Sequence, residues 1–191
     1  MDIILLAGGF GTRMEPISSF IPKALLPIGG RPIIDHIIED LARHKEVDRI
    51  IIDTNERFRD QFEYFMHLKG AESKMRFELV VEPTKSNGEK LGQIKGIEYV
   101  LKKADVESDF MVVSTDNYFD FGLGGVIKHF EKSRKPTFGM FETDSMELLT
   151  RSGVARMEED RVVELEEKPA KPKSNLLSMG IYAFPKGSIG L

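Results

Sequence analysis

The chain has 191 residues, with 31 Asp+Glu against 27 Lys+Arg for a formal net charge of −4, and it contains no cysteine. That length suits one domain with a buried core, and the missing thiol excludes disulfides, thiolate nucleophiles, iron–sulfur clusters and Cys-based zinc sites. The longest stretch without a charged residue, Ser174 to Pro185, is 12 residues, short of the roughly 20 that span a bilayer. No basic segment opens the chain as a signal peptide would, and a mildly acidic balance argues against a nucleic-acid backbone as the main partner. The expectation is a soluble, cytoplasmic α/β protein.

Ile3-Ile4-Leu5-Leu6-Ala7 is a short apolar run of the kind that is buried on both faces of a parallel sheet. A Gly- and Pro-rich loop follows from Gly8 to about Pro32. Ile33, Ile34, Ile37, Ile38 and Leu41 then repeat at helical spacing, with Asp35, Glu39 and Asp40 on the other side. Arg49–Asp53 reads as a second strand, Phe58, Phe62, Phe65 and Met66 as a helix closed near Gly70, and Phe77–Val81 as a third strand. The three rings of that helix read as core. A helix from near Gly92 to Leu101, a strand Phe110–Ser114, a helix around Val126–Lys132 and a strand around Thr137–Glu142 come next. This alternation predicts a doubly wound, mostly parallel, Rossmann-like sheet, which binds ligands outside the carboxyl ends of its strands. Gly8, Glu82 and Asp116 all fall just past such ends. The pattern then changes to a hairpin, Val154–Met157 with Arg161–Leu165, and a last strand, Gly180–Phe184: a small antiparallel addition within a single domain, 1–191. His36, His44, His67 and His129 have no zinc-like spacing and read as surface residues.

The strongest chemical signal is Leu6-Ala7-Gly8-Gly9-Phe10-Gly11-Thr12-Arg13-Met14, continued by Pro22-Lys23-Ala24-Leu25-Leu26-Pro27-Ile28. Glycines directly after a buried strand let the backbone turn sharply and aim its N–H groups at an anion. Arg13 adds a guanidinium able to hold a phosphate bidentately, and Lys23 adds a second cation. Two other phosphate loops are excluded: the third position of the dinucleotide fingerprint is Met14 rather than Gly, and no Gly-Lys-Ser/Thr occurs.

These strings resemble the signature of the sugar-1-phosphate nucleotidylyltransferases. The resemblance continues at Leu91-Gly92, Thr115-Asp116-Asn117, Ser152-Gly153-Val154, Glu166-Glu167-Lys168-Pro169 and Met179-Gly180-Ile181-Tyr182-Ala183-Phe184, covering essentially the whole chain. It implies transfer of a nucleotidyl group from an NTP to a sugar-1-phosphate. An oxygen of the sugar phosphate attacks the α-phosphorus in line and pyrophosphate leaves, a step that needs positioning and charge neutralisation more than a nucleophile. By matching positions, Ala7, Gly8, Gly9, Gly11 and Thr12 would cradle the triphosphate. Arg13 would neutralise the leaving pyrophosphate and Lys23 the attacking and α-phosphate oxygens. Asp116 would bind Mg²⁺ through a hard carboxylate oxygen. Gly153 and Gly180 would line the sugar pocket, with Glu167 on sugar hydroxyls and Lys168 on the sugar phosphate. Without the resemblance, Asp116 reads as a capping residue and Glu166-Glu167-Lys168 as a solvated charge run.

Departures bear on substrate. Thr115 stands where Gly usually precedes the metal Asp, and the base-recognition loop reads Leu91-Gly92-Gln93-Ile94-Lys95, which secures only Gly92. Glu82 matches a position that reads the base edge. A carboxylate only accepts, so it suits the N1–H and amino protons of guanine, or the N3–H of uracil or thymine; a merely solvent-exposed Glu82 is the third reading. The family usually supplies a second Mg²⁺-binding Asp after the strand equivalent to Gly180–Phe184, and this chain stops at Leu191 before one; a truncated C-terminus is the expectation. Alternatives are cytidylyl transfer to a non-sugar phosphate such as phosphocholine, and a non-catalytic subunit that senses nucleotide-sugar. The base, the sugar and any homo-oligomer are left open.

Overall fold

The apolar run after Met1 forms β1 (Asp2–Leu6), with Ile3, Ile4 and Leu5 wholly buried. A computed structural model describes residues 1–72 and 75–188, and β1 lies in the interior of its eight-stranded sheet. The segment expected as loop contains three 3-10 turns, Thr12–Met14, Ile17–Ser19 and Lys23–Leu25, and a two-residue hairpin, β2 (Pro27–Ile28) with β3 (Arg31–Pro32). Next come α1 (Ile33–Leu41), β4 (Arg49–Asn55), α2 (Arg59–Glu72), β5 (Arg76–Glu82), α3 (Gln93–Lys103), β6 (Phe110–Ser114), α4 (Gly124–Ser133) and β7 (Thr137–Glu142). The chain continues with a short α5 (Met146–Leu149), then β8 (Gly153–Glu158), β9 (Arg161–Glu167) and β10 (Leu176–Phe184).

The order across the sheet is β5-β4-β1-β6-β10-β8-β9, with β7 also on β10. The first four are mutually parallel. β10 runs against β6, β7 and β8, and β9 against β8, so every strand except β9 and β10 points the same way. This is the mostly parallel α/β sheet expected from the alternation. Alternate residues of each strand enter opposite cores. Ile3, Leu5, Ile50, Ile52, Met111 and Val113 pack against α1, α2 and α4, burying Ile34, Phe58, Phe62, Phe65 and Phe130. Ile4, Ile51, Val80 and Val112 pack against Val100 and Leu101 of α3 on the other face.

Several elements differ from the sequence reading. α2 runs past Gly70 to Glu72, since a glycine costs a helix only about 1 kcal/mol. Asp35 is buried, not on a solvated helix face, because Lys69 (2.7 Å) and Arg31 (3.2 Å) neutralise it. The last strand begins at Leu176 rather than Gly180, paired there with β7 and β8. The closing run Gly187–Leu191 is described to Ser188, and Ile189, Gly190 and Leu191 lie outside the described residues. Among the described residues no helix is long and apolar enough to cross a membrane.

β10 is the element that shapes the site. Leu176–Leu177 pair with β8 on the same edge where Ile181–Phe184 pair with β6, while β7 follows the opposite edge. Between those pairings, at Ser178–Gly180, the edge passes from β8 to β6 with no ladder pair to either, leaving a notch in the ladder beside the carboxyl end of β6.

Candidate active site

The glycine loop is held from below by β4. The Ala7 amide donates to the Asp53 carbonyl at 2.8 Å, and Asn55 Nδ2 donates to the Gly8 carbonyl at 3.0 Å. Gly9 faces open space, with no atom within 4 Å of where a side chain would start. Gly11 has a positive φ of 62°, and a methyl there would meet Ser18 Cβ at 2.9 Å; the Ser18 hydroxyl in turn donates to the Gly11 carbonyl at 2.8 Å. This fold-back exposes Thr12 and Arg13 at the loop's crest. Arg13 makes no ion pair among the described residues, so its guanidinium is available to an anion.

The other side of the loop returns Lys23 to the mouth of the sheet. Its Nζ lies 3.4 Å from Asp116 Oδ2, a contact between residues 93 positions apart. Asp116 sits in the turn after β6, and that turn is tied to β1 by Thr115, whose buried hydroxyl donates to the Leu6 carbonyl at 2.7 Å. The threonine that departs from the family pattern thus joins the start of the glycine loop to the turn that carries Asp116.

On the α3 face the sheet ends in two buried carboxyls, Asp53 and Glu82. Glu82 packs against Gly96 in the opening of α3, where a methyl would come 2.6 Å from Glu82 Oε1. Gly92 caps that helix with a φ of 81°, and its carbonyl accepts from Gly96 N–H at 2.8 Å. Burial holds the Glu82 carboxyl above its usual range, opposed by the nearby Thr84 hydroxyl. Asp53 is pushed up much further, by burial first and by the charge of Glu82 second.

The notch gathers the residues expected on the sugar side. Gly180 has a φ of 71°, and a methyl on it would sit 2.5 Å from Ser114 Oγ. Asn117 Nδ2 donates to the Met179 carbonyl at 3.2 Å, tying Ser178–Gly180 to the turn after β6. Gly153 opens β8 opposite Glu167 in β9 and beside Ser178 of β10. Glu167 and Lys168 are exposed and pair with each other at 2.8 Å, with Lys168 at a φ of 50° and its N–H bonded to Ser152 O. Gly180→Ala combines left-handed strain with a clash, and is expected to cost about 1–3 kcal/mol of stability. A urea midpoint equal to the parent's, at unchanged slope, would show that the notch relaxes around a methyl.

The structure therefore brings the expected residues to one end of the sheet, in three groups: the loop with Lys23 and Asp116, the Glu82–Gly92 wall, and the notch. Sequence reasoning assigned no site role to Ser18, Asp53, Asn55, Gly96 or Ser114, and noted Thr115 only as a departure from the family pattern. A groove of about 430 Å³ between α2 and β5, lined by Arg59, His67 and Phe77 among others, lies on the opposite face from Glu82 and holds none of the expected site residues. Among the described residues no three His, Cys, Asp or Glu side chains group to hold a metal.

The sequence matches the nucleotidyl transferase family over residues 2–190. It is 29% identical over 192 residues to the bifunctional protein GlmU of Methanococcus aeolicus, covering 96% of this chain and 40% of that one. It is 26% identical to the UTP–glucose-1-phosphate uridylyltransferase AglF of Haloferax volcanii, covering 96% of this chain and 72% of that one. A crystal structure assigned as a glucose-1-phosphate thymidylyltransferase of Bacillus anthracis superposes with a TM-score of 0.84 at 26% identity, over 97% of this chain and 72% of that one. A UDP-glucose pyrophosphorylase in complex with UDP-glucose shares the fold, with a TM-score of 0.78 at 23% identity, over 96% of this chain and 75% of that one. The chain spans less than half the length of the GlmU relative.

Proposed function

We propose, for a chain that belongs to the nucleotidyl transferase family, that it transfers a nucleotidyl group from an NTP to a sugar-1-phosphate and releases pyrophosphate. The observation that carries this reading is the meeting of Lys23 with Asp116 at 3.4 Å across the mouth of an open glycine loop. A cation and a carboxylate held there have the chemistry to manage the charge of a phosphoryl group changing partners. In this reading Ala7, Gly8, Gly9, Gly11 and Thr12 wrap the triphosphate, and Arg13 stabilises charge on the leaving pyrophosphate. Lys23 draws the sugar-phosphate oxygen toward the α-phosphorus, while Gly153, Glu167, Lys168 and Gly180 hold the sugar phosphate in the notch.

Asp116 is the protein ligand proposed for Mg²⁺. Its carboxylate is solvent-accessible at the strand end, and Mg²⁺ is commonly held by one or two carboxylates together with substrate phosphates, so the donor set fits a metal completed by the substrate. Bound there, the ion would neutralise phosphate charge and polarise the reacting phosphorus.

Glu82 is the residue proposed to read the base. It is buried, has no cationic partner among the described residues, and offers only acceptors, which suits a base with N–H donors on its pairing edge. Guanine offers two adjacent donors; uracil and thymine offer one. If Glu82 meets guanine, Glu82→Gln replaces one acceptor with a donor and is expected to shift kcat/KM from GTP toward UTP or dTTP by about tenfold or more. A parallel loss with all NTPs would deny Glu82 that role.

The deciding experiment is pyrophosphate release with Mg²⁺ across four NTPs plus dTTP and a panel of sugar-1-phosphates, with phosphocholine as an added acceptor. Release with one matched NTP and sugar phosphate confirms the reading. Turnover with phosphocholine and CTP alone replaces the acceptor, and nucleotide binding without turnover marks a sensing subunit.

A further inference from the structure

Asp53 has no place in the roles above, yet it lies at the centre of the α3-side wall. It is 3% exposed, and its Oδ1 has no hydrogen-bond partner among the described residues. Its Oδ2 and Glu82 Oε1 approach the same point above Gly8, at 3.3 and 3.8 Å from where a Gly8 side chain would begin. Two residues along the same strand face, Asn55 holds the Gly8 carbonyl. The end of β4 thus supports the glycine loop with one side chain and backs Glu82 with the other. Resting on the reading of Glu82 as the base-contacting group, we propose that Asp53 is a positioning residue for nucleotide recognition, filling the buried space between Gly8 and Glu82 and acting on the base through the Glu82 carboxyl.

The charge state follows from the surroundings. Two neighbours meet at Asp53: the loop after β1 brings Gly8, and β5 brings Glu82, the ionisable group that acts on it, with Gly96 of α3 packed against Glu82. Two buried carboxyls so placed do not readily both ionise. Glu82 takes the charge that accepts N–H donors, and Asp53 stays neutral as a wedge. An Asp53 carboxylate would add a second negative charge beneath a loop that binds phosphate. Because burial raises the folded-state value, the stability that Asp53 contributes is full below its unfolded value and is lost as pH rises through the folded one.

The test compares Asp53→Asn, which keeps shape and is always neutral, with Asp53→Ala, which empties the space. Titration calorimetry of the NTP panel with Mg²⁺, kcat at saturation and melting temperature between about pH 4 and pH 8 are the readouts. Asp53→Ala is expected to weaken NTP binding about tenfold or more, a change of 1.4 kcal/mol per decade, with kcat at saturation within about threefold. Asp53→Asn is expected to bind within about threefold of the parent and to melt above it by a margin that widens with pH, as fixed neutrality predicts. If Asp53→Ala does not fold, Asp53→Ser carries the binding arm. Binding by the alanine variant within twofold of the parent overturns the proposal. So does an equal fall in kcat and kcat/KM, which a merely structural role would give, or an asparagine variant that melts increasingly below the parent as pH rises. A parent that binds nucleotide without turning over overturns the proposed reaction and leaves this inference standing; a parent that binds none overturns both.

Discussion

Lys23→Ala is expected to lower kcat for pyrophosphate release by about 10²–10³, or roughly 3–4 kcal/mol, while leaving the melting temperature close to the parent's. The two halves of that expectation come from different places. Stability is spared because the Lys23–Asp116 pair is solvent-exposed, with side-chain exposures of 37% and 61%, and such pairs contribute only ~0–1 kcal/mol. Rate is expected to fall because, in the proposed reading, the ammonium stands where charge develops, and a preorganised cation stabilises a transition state more than it stabilises a resting ion pair. Pro22 and the 3-10 turn Lys23–Leu25 fix its backbone, so the cation needs little reorganisation when substrate arrives. Activity within tenfold of the parent, in a folded variant, would remove Lys23 from the mechanism.

The distance over which each signal acts explains what the sequence made legible. The buried run Ile3–Leu5 and the helical repeat of Ile34, Ile37, Ile38 and Leu41 are local patterns, and both formed as read. The first half of β10 was missed because Ser174, Asn175 and Ser178 break any strand pattern. What makes Leu176–Ser178 a strand is pairing with β7 and β8, information held 20 to 40 residues away. The glycine loop was legible because its residues are contiguous. Its supports were not: Asn55 reaches Gly8 across 47 residues, and Thr115 reaches Leu6 across 109. Asp53 is the sharpest case. In sequence it is only the charged last residue of an apolar strand, and the neighbouring β5 decides that its carboxyl is buried beside Glu82.

Asp116→Asn separates the role proposed for the carboxylate, binding a hard cation, from the contact it makes in the structure, holding Lys23. Asparagine keeps the shape of the turn after β6, and the tie from Thr115 to Leu6 does not involve the Asp116 side chain, so the fold should survive. A neutral amide is a far weaker ligand for Mg²⁺, and turnover is expected to fall about 100-fold or more at a Mg²⁺ concentration that saturates the parent. Nucleotide affinity without Mg²⁺ should move the other way. With no anion 3.4 Å from its Nζ, Lys23 is released to the triphosphate, and NTP binding in a chelator is expected to equal or exceed the parent's. That crossed result, tighter metal-free binding with lost metal-dependent turnover, is not what a general disruption of the site would produce, since disruption weakens both. Retained turnover at equal Mg²⁺ rejects Asp116 as the metal ligand. Weaker binding in both conditions would instead assign it to the shape of the loop's mouth.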